Sequence, residues 1–275
     1  MDRADVIAFY DRHPINEEQI LALARQRRPH GASLTAEDLF DFDQDHYGGL
    51  QAVEALARRA HLAPGARVVD LCAGLAGPAR FLATRIGCRV VAVELNAHRA
   101  AGAARLGRLV RLAPLVRIVR ADVTRLPLAT GSADAAISQE GLLHIGDKAA
   151  VLAEARRVLR PGGRIAFTDW VAHPRLAEGE RDRLQRWMAA TSLVTLDGYR
   201  ALLGRAGFGA VDAEDLTDDW RAILRKRLEM YRGLREQTVT RLGEARYEDY
   251  QRLHAFFVGL VEAGKLGGGR FSASR

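Results

Sequence analysis

The 275 residues carry 41 Lys and Arg against 34 Asp and Glu, a formal net charge of +7, and 48% of them are hydrophobic. That apolar content supports a packed core and excludes a disordered chain, and the length suits one elaborated α/β domain or two modest ones. The positive charge alone would suggest nucleic acid. However, Lys occurs only at Lys148, Lys226 and Lys265, and the arginines alternate with Asp and Glu along helical stretches instead of forming one patch. No nucleic-acid partner is expected. Cys72 and Cys88 are the only cysteines and no Cys/His pair has zinc spacing, which argues against a disulfide scaffold or a structural metal. The start, Met1 to Asp5, lacks the basic and apolar regions of a signal peptide, and no run approaches the ~20 apolar residues of a membrane span. A cytoplasmic protein without a membrane partner, monomeric or homodimeric, is expected.

Residues 1–60 read as a polar helical cap broken at Pro14, Pro29 and Gly31. Within it, Asp45-His46-Tyr47-Gly48-Gly49 interrupts the pattern before an apolar-periodic helix from about Leu50 to Ala60. A new rhythm follows the Pro64-Gly65 turn. Short apolar runs at Arg67–Leu71, Arg89–Val93, Val116–Val119, Ala135–Ser138 and Arg164–Thr168 alternate with helical patterns at 78–87, 97–110 and 148–159. Such alternation implies right-handed crossovers and a parallel sheet with helices on both faces. After Asp169 the spacing predicts helices near 176–190 and 197–206, the second ended by Gly207. A strand near 209–214, two helices between Asp218 and Gly264, a Gly267-Gly268-Gly269 turn and a last strand at 270–274 complete the chain. The expected fold is therefore a Rossmann-like, mostly parallel seven-stranded sheet spanning 61–275, with a helical lid at about 174–264.

The strongest local signal is Val68-Val69-Asp70-Leu71-Cys72-Ala73-Gly74-Leu75-Ala76-Gly77-Pro78. A strand ends at Asp70, a glycine turn follows, and Pro78 suits a first helical turn. Glycine lets the backbone approach a ligand closely. A dinucleotide site would favour G-x-G-x-x-G, with pyrophosphate on the helix N-terminus. Here a carboxylate ends the strand, where it would repel phosphates but can orient water or an ammonium group. Glu94 ends the second strand, 20 residues beyond Gly74, where an acid can accept both ribose hydroxyls. Asp122 ends the third and could receive an adenine amino group, with Val123 stacked on the ring.

The run from Asp70 to Gly74, with Glu94 and Asp122, resembles class I S-adenosylmethionine-dependent methyltransferases. Ser138-Gln139-Glu140-Gly141-Leu142-Leu143-His144-Ile145-Gly146-Asp147-Lys148 is similar to the matching segment of phosphoethanolamine and sarcosine/dimethylglycine N-methyltransferases. The likeness covers about residues 45–170. It implies S-adenosylmethionine as cofactor, S-adenosylhomocysteine as product and a small-molecule acceptor. It also implies a cofactor shell of Tyr47, Gly49, Asp70, Ala73, Gly74, Gly77, Glu94, Leu95, Asn96, Arg99, Asp122, Val123 and Gln139.

Methyl transfer is an in-line displacement that needs alignment and a free lone pair, so an ammonium acceptor must lose a proton. If their segment is helical, Glu140 and His144 share one face. His144, with an ordinary pKa near ~6.5, is then the candidate general base, and Glu140 would hold the ammonium or the methionine end of the cofactor. The resemblance also implies that a substrate phosphate would be held by 188–193 and 255–259. No cation occurs there, although Arg186 and Arg252 lie nearby, so an unphosphorylated amine is the expected acceptor. Oxygen, carbon and sulfur acceptors, or a cyclopropane-synthase-like reaction on lipid, are the alternatives.

Overall fold

The computed structural model describes residues 3–13, 15–28 and 31–275; Pro14 and Pro29, expected as breaks, lie outside these. The cap forms helices α1 (Arg3–Asp11), α2 (Glu17–Gln26) and α3 (Gly49–Arg59). Asn16 caps α2 by accepting the Gln19 N–H at 2.9 Å. Gly48 enters α3 at φ 84°, a left-handed conformation that favours glycine.

Valine-rich runs make β1 (Arg67–Leu71), β2 (Arg89–Glu94) and β3 (Val116–Arg120), each parallel to its neighbour. Between them lie α4 (Gly77–Arg85) and α5 (Ala97–Leu109). β4 (Ala133–Gln139) pairs parallel with β1 on its other side, then α6 (Lys148–Val158) leads into β5 (Leu159–Ala172). Further along come α7 (Glu178–Met188), α8 (Leu196–Arg205) and β6 (Gly209–Asp215). Helices α9 (Thr217–Gly233), α10 (Arg235–Leu242) and α11 (Glu244–Glu262) precede β7 (Leu266–Ser274). The sheet runs β3-β2-β1-β4-β5-β7-β6, and β7 is antiparallel to both its neighbours. The order reverses between β1 and β4, the switch point outside which open α/β sheets bind ligands.

The two-residue period of the strands sorts their side chains into two cores. Val68, Val90 and Ala92 face α2 to α5, whereas Val69, Leu71 and Val93 face the side covered by α6 and α8. The β3–β4 connection, 121–132, contains no helix. That second face therefore has no helical cover over β2 and β3, and Val91 and Val119 remain half-buried. A third core joins α7, α9 and α11 to Trp170 and Leu266.

Two expectations are corrected. Three helices, not two, fill 217–262, because the chain breaks at Leu234 and again at Gly243, where φ is 85°. Gly267, Gly268 and Gly269 do not form a turn but are strand residues paired with Val171, Trp170 and Asp169. Glycine is needed there for close packing: a Cβ at Gly267 would collide with Thr217, and one at Gly268 with the Trp220 ring. We expect Gly268→Ala to lower stability by about 1–3 kcal/mol, the usual cost of overpacking, in denaturant titration. Gly259→Ala, on an exposed turn of α11 with open space around the Cβ position, should raise it by about 0.5–1 kcal/mol through helix propensity.

Candidate active site

A cavity of about 410 Å³ opens at the carboxyl ends of β1, β2 and β4. Asp70, Ala73, Gly74, Glu94, Leu95, Asn96, Arg99, Asp122, Val123, Gln139, Glu140 and His144 all line it. Sequence residues spread over 75 positions are thus brought to one sheet edge, because each lies at or shortly beyond the carboxyl end of a strand.

The acids differ in their surroundings. Asp70 is buried, and its Oδ2 has no hydrogen-bond partner. Burial, reinforced by the nearby Glu94, pushes its carboxyl up to about 8. Glu94 accepts the Gly74 N–H at 2.8 Å on one oxygen and the Asn96 N–H at 2.7 Å on the other. It thereby ties the glycine turn, where Gly74 has φ 56°, to the start of α5. Asp122 accepts from the Thr124 N–H and hydroxyl at 2.8 and 2.7 Å, and its other oxygen lies 2.6 Å from the Arg3 guanidinium.

Glu140 and His144 meet the same cavity without sharing a helix. Glu140 has φ 53° and its N–H donates to the Thr168 carbonyl, so the chain leaves β4 through a left-handed turn. Gly141 follows, pressed against Cys72, and only Leu142–His144 form a short 3-10 turn. The expected helical face is therefore corrected to a tight turn. Glu140 accepts the Tyr47 N–H at 2.7 Å, and burial pushes its carboxyl up to about 8. His144 Nδ1 lies 3.0 Å from the Ala189 carbonyl and its Nε2 lies 2.7 Å from the Tyr10 hydroxyl. A carbonyl only accepts, so Nδ1 carries the proton and Nε2 accepts from Tyr10. Burial holds this imidazole down to about 4.

Tyr10, from α1, is the residue that sequence reading missed. Its only signal was an aromatic in a helix with no spacing relation to the sheet. Arg99 lies 4.8 Å over its ring and donates to Asp45 at 3.0 Å and to the Ile15 carbonyl at 3.2 Å. Burial raises the phenol above its ordinary range. In the sequence Lys148 is likewise marked only by its place at the end of the 138–148 segment. Its ammonium is buried and donates to the carbonyls of Leu142, Ile145 and Ser192 at 2.8, 3.0 and 2.6 Å. Lys148 thus clamps the turn that carries His144 against the segment following α7.

Three expected shell residues lie outside the cavity lining. The Tyr47 ring packs with Trp170 and Trp220 at 5.4 and 4.9 Å and lies under Arg227, drawn there by the apolar core. Gly49 starts α3. Gly77 fits against the Asp43 carbonyl, leaving no space for a Cβ. Asp43 in turn forms a fully buried ion pair with Arg80 at 2.8 Å and accepts from Gln44 at 2.6 Å. His46, held by Gln44 and Gln139 at 3.0 Å each, continues this network to the cavity wall. Among the described residues, no group of three His, Cys, Asp or Glu could hold a metal, and no helix is long and apolar enough to cross a membrane.

Residues 69–167 match a family profile described as a methyltransferase domain. Glycine/sarcosine/dimethylglycine N-methyltransferase of Actinopolyspora halophila is 30% identical over 168 residues, 61% of this chain and 30% of that enzyme. The 27-O-demethylrifamycin SV methyltransferase of Amycolatopsis mediterranei is 31% identical over 198 residues, 71% of this chain and 73% of that enzyme. Phosphoethanolamine N-methyltransferase 2 of Haemonchus contortus, solved with phosphomonomethylethanolamine and S-adenosylhomocysteine, has the same fold. Its TM-score is 0.81 at 20% identity, covering 97% of this chain and 59% of that one. The chain spans 30% to 40% of the length of the first curated N-methyltransferases it matches.

The hydrogen bonds of His144 predict a neutral Nδ1–H tautomer at neutral pH that protonates only near pH 4. Long-range proton–nitrogen NMR across a pH titration reads both properties. Titration of His144 near ~6.5, the ordinary value, would contradict this environment.

Proposed function

Because the chain belongs to the class I S-adenosylmethionine-dependent methyltransferases, we propose that it methylates an unphosphorylated small molecule, most directly an amine nitrogen. When bound, the cofactor supplies an electrophilic methyl group on a cationic sulfonium. The observation that carries the reading is the acidic lining of the cavity. Its acidic side chains outnumber its cations, Arg3 and Arg99 are already paired with Asp122 and Asp45, and the protonated Asp70 and Glu140 can ionise against a cationic ligand.

The residues present fit the cofactor. Asp70, with an unpartnered buried oxygen, and Gln139, whose Oε1 is also buried without a partner, suit its amino-acid end. Glu94 and Asn96 suit the ribose. Asp122 and Val123 suit the adenine, with Arg3 of α1 covering that end. We assign α7, α9, α10 and α11, within 174–264, as the lid; α8 and β6 in the same span serve the sheet.

Tyr10 and His144 would handle the acceptor proton. The phenol already donates to Nε2, so a proton reaching the Tyr10 oxygen can be passed on as its own moves to His144. The Ala189 carbonyl fixes the tautomer that accepts it and favours the imidazolium that forms. Glu140 faces the same space and suits an acceptor cation. A phosphate-bearing acceptor lacks support, since a desolvated dianion needs a charged partner. Arg186 is exposed on α7 and does not line the cavity, and Arg252 is paired with Asp249 at the surface. The second reading, transfer to oxygen, rests on the 27-O-methyltransferase relative.

Two outcomes test the proposal. S-adenosylmethionine should bind in calorimetry while NAD does not. Because Asp70 and Glu140 hold their protons up to about 8 and a cationic ligand favours their ionised forms, binding should release protons and strengthen as pH rises toward 8. Equal heats in buffers of different ionisation enthalpy would contradict this. With labelled cofactor, turnover should follow the series of sarcosine, dimethylglycine and larger apolar amines ahead of phosphoethanolamine. His144→Ala should lower that turnover by about 10²–10⁴-fold with cofactor affinity kept, as for a lost general base. Efficient turnover of phosphoethanolamine alone would overturn the acceptor assignment.

A further inference from the structure

A second cavity, of about 330 Å³, lies far from the strand ends just described, against the amino-terminal half of β1, β2 and β3. It exists because the β3–β4 connection is a loop, so no helix covers this part of the sheet. In a parallel sheet both faces are ordinarily buried by crossover helices. Here the floor is apolar, formed by Val69, Val91 and Leu128, and Val91, although its strand is paired on both sides, is only half-buried.

The rim is cationic. Arg67 and Arg89 are direct cross-strand partners, and Arg117 stands opposite Val91 on the next strand. Arg67 is neutralised by Asp134, which accepts from its N–H and guanidinium and also from Arg160. Arg89 and Arg117 are exposed, and among the described residues neither has a side-chain hydrogen bond, ion pair or ring partner. Arg117 is diagonal to Arg89 on the same sheet face, within reach for two long side chains to meet one anion. An apolar hollow with a few convergent charged groups is the usual form of a small-molecule site, and its volume falls at the lower end of the range for such sites.

We infer that this hollow binds a small amphiphilic carboxylate, its apolar body on Val69, Val91 and Leu128 and its carboxylate between Arg89 and Arg117. Guanidinium groups match a carboxylate in a planar, two-bond geometry, and the valine floor favours a hydrocarbon or aryl body. A second copy of the chain related by a two-fold axis is a poor occupant, because it would set arginine against arginine. The site is separate from the methyl-transfer cavity, so it stands whether or not that assignment does.

Decanoate, below its micelle-forming concentration, tests the inference. Titrated into the full chain, it should shift the methyl NMR signals of Val69, Val91 and Leu128. Decanol, with the same body and no charge, should bind about tenfold or more weaker, as should decanoate to the Arg89→Ser/Arg117→Ser double variant. Both arginines are exposed and unpartnered, so the variant should keep the wild-type denaturation midpoint and S-adenosylhomocysteine affinity. Shifts confined to residues of the larger cavity, equal affinity for decanol, or an unchanged affinity in the folded double variant would each overturn it.

Discussion

The constraint on which the structure turns is the desolvation of carboxylates at one edge of the sheet. Asp70 and Asp169 are buried and Glu140 is half-buried, and burial raises all three above the ordinary carboxylate range. An acid in such a place costs stability unless a cation or a donor meets it. The chain has an excess of cations, yet it keeps them elsewhere. Arg80 is consumed by Asp43, Arg99 by Asp45, and Lys148 by three carbonyls. Asp169 is met by the Tyr199 hydroxyl and by the field of Lys148. Asp70 Oδ2 has no hydrogen-bond partner, and among the described residues the only cation whose field reaches Asp70 is Arg80, already paired with Asp43. A fold that leaves one acid uncompensated at its switch point trades stability for affinity toward a cationic ligand, a trade common at functional sites.

The N-terminal cap completes this edge. The sheet alone provides the acids, but the Tyr10 hydroxyl, Asp45 and His46 come from the segment before β1. That segment is fastened by the Asp43–Arg80 pair, which is buried on both sides, and by the contact between the Asp43 backbone and Gly77. Breaking one partner of a buried pair strands the other charge, so the cap and the glycine turn are coupled in energy as well as in space. The Tyr10–His144–Ala189 chain then links cap, β4 turn and the end of α7 through a single imidazole.

Much of this was legible in the residues. Alternation of valine-rich runs with helical stretches gave the sheet, and an acid at each of three strand ends gave the cavity, because strand ends converge in this topology whatever the loops do. What was hidden depended on contacts between distant segments. Tyr10 carries no periodic signal that ties α1 to His144. Gly267 to Gly269 have the composition of a turn, and only the packing of Thr217 and Trp220 explains why they are extended. Tyr47 was expected beside the cofactor on the strength of a likeness, but Trp170 and Trp220 draw its ring into the core. The Glu140–His144 spacing suggested a helix, and the left-handed backbone at Glu140 forbids one.

The uncompensated acid is the claim most open to direct test. Replacing Asp70 with Asn keeps its shape and removes its ionisation. Asp70 is held up to about 8 in the fold against 3.8 as a free side chain, so the stability of the wild-type chain should decline as pH rises between those values. Denaturation midpoints of the two proteins, compared from pH 5 to about pH 9, measure this directly. The account predicts that Asp70→Asn is the more stable protein, by a margin that grows with pH and levels off above 8, while its affinity for S-adenosylmethionine falls about tenfold or more. A variant that is less stable throughout and binds the cofactor as tightly as the wild type would contradict it.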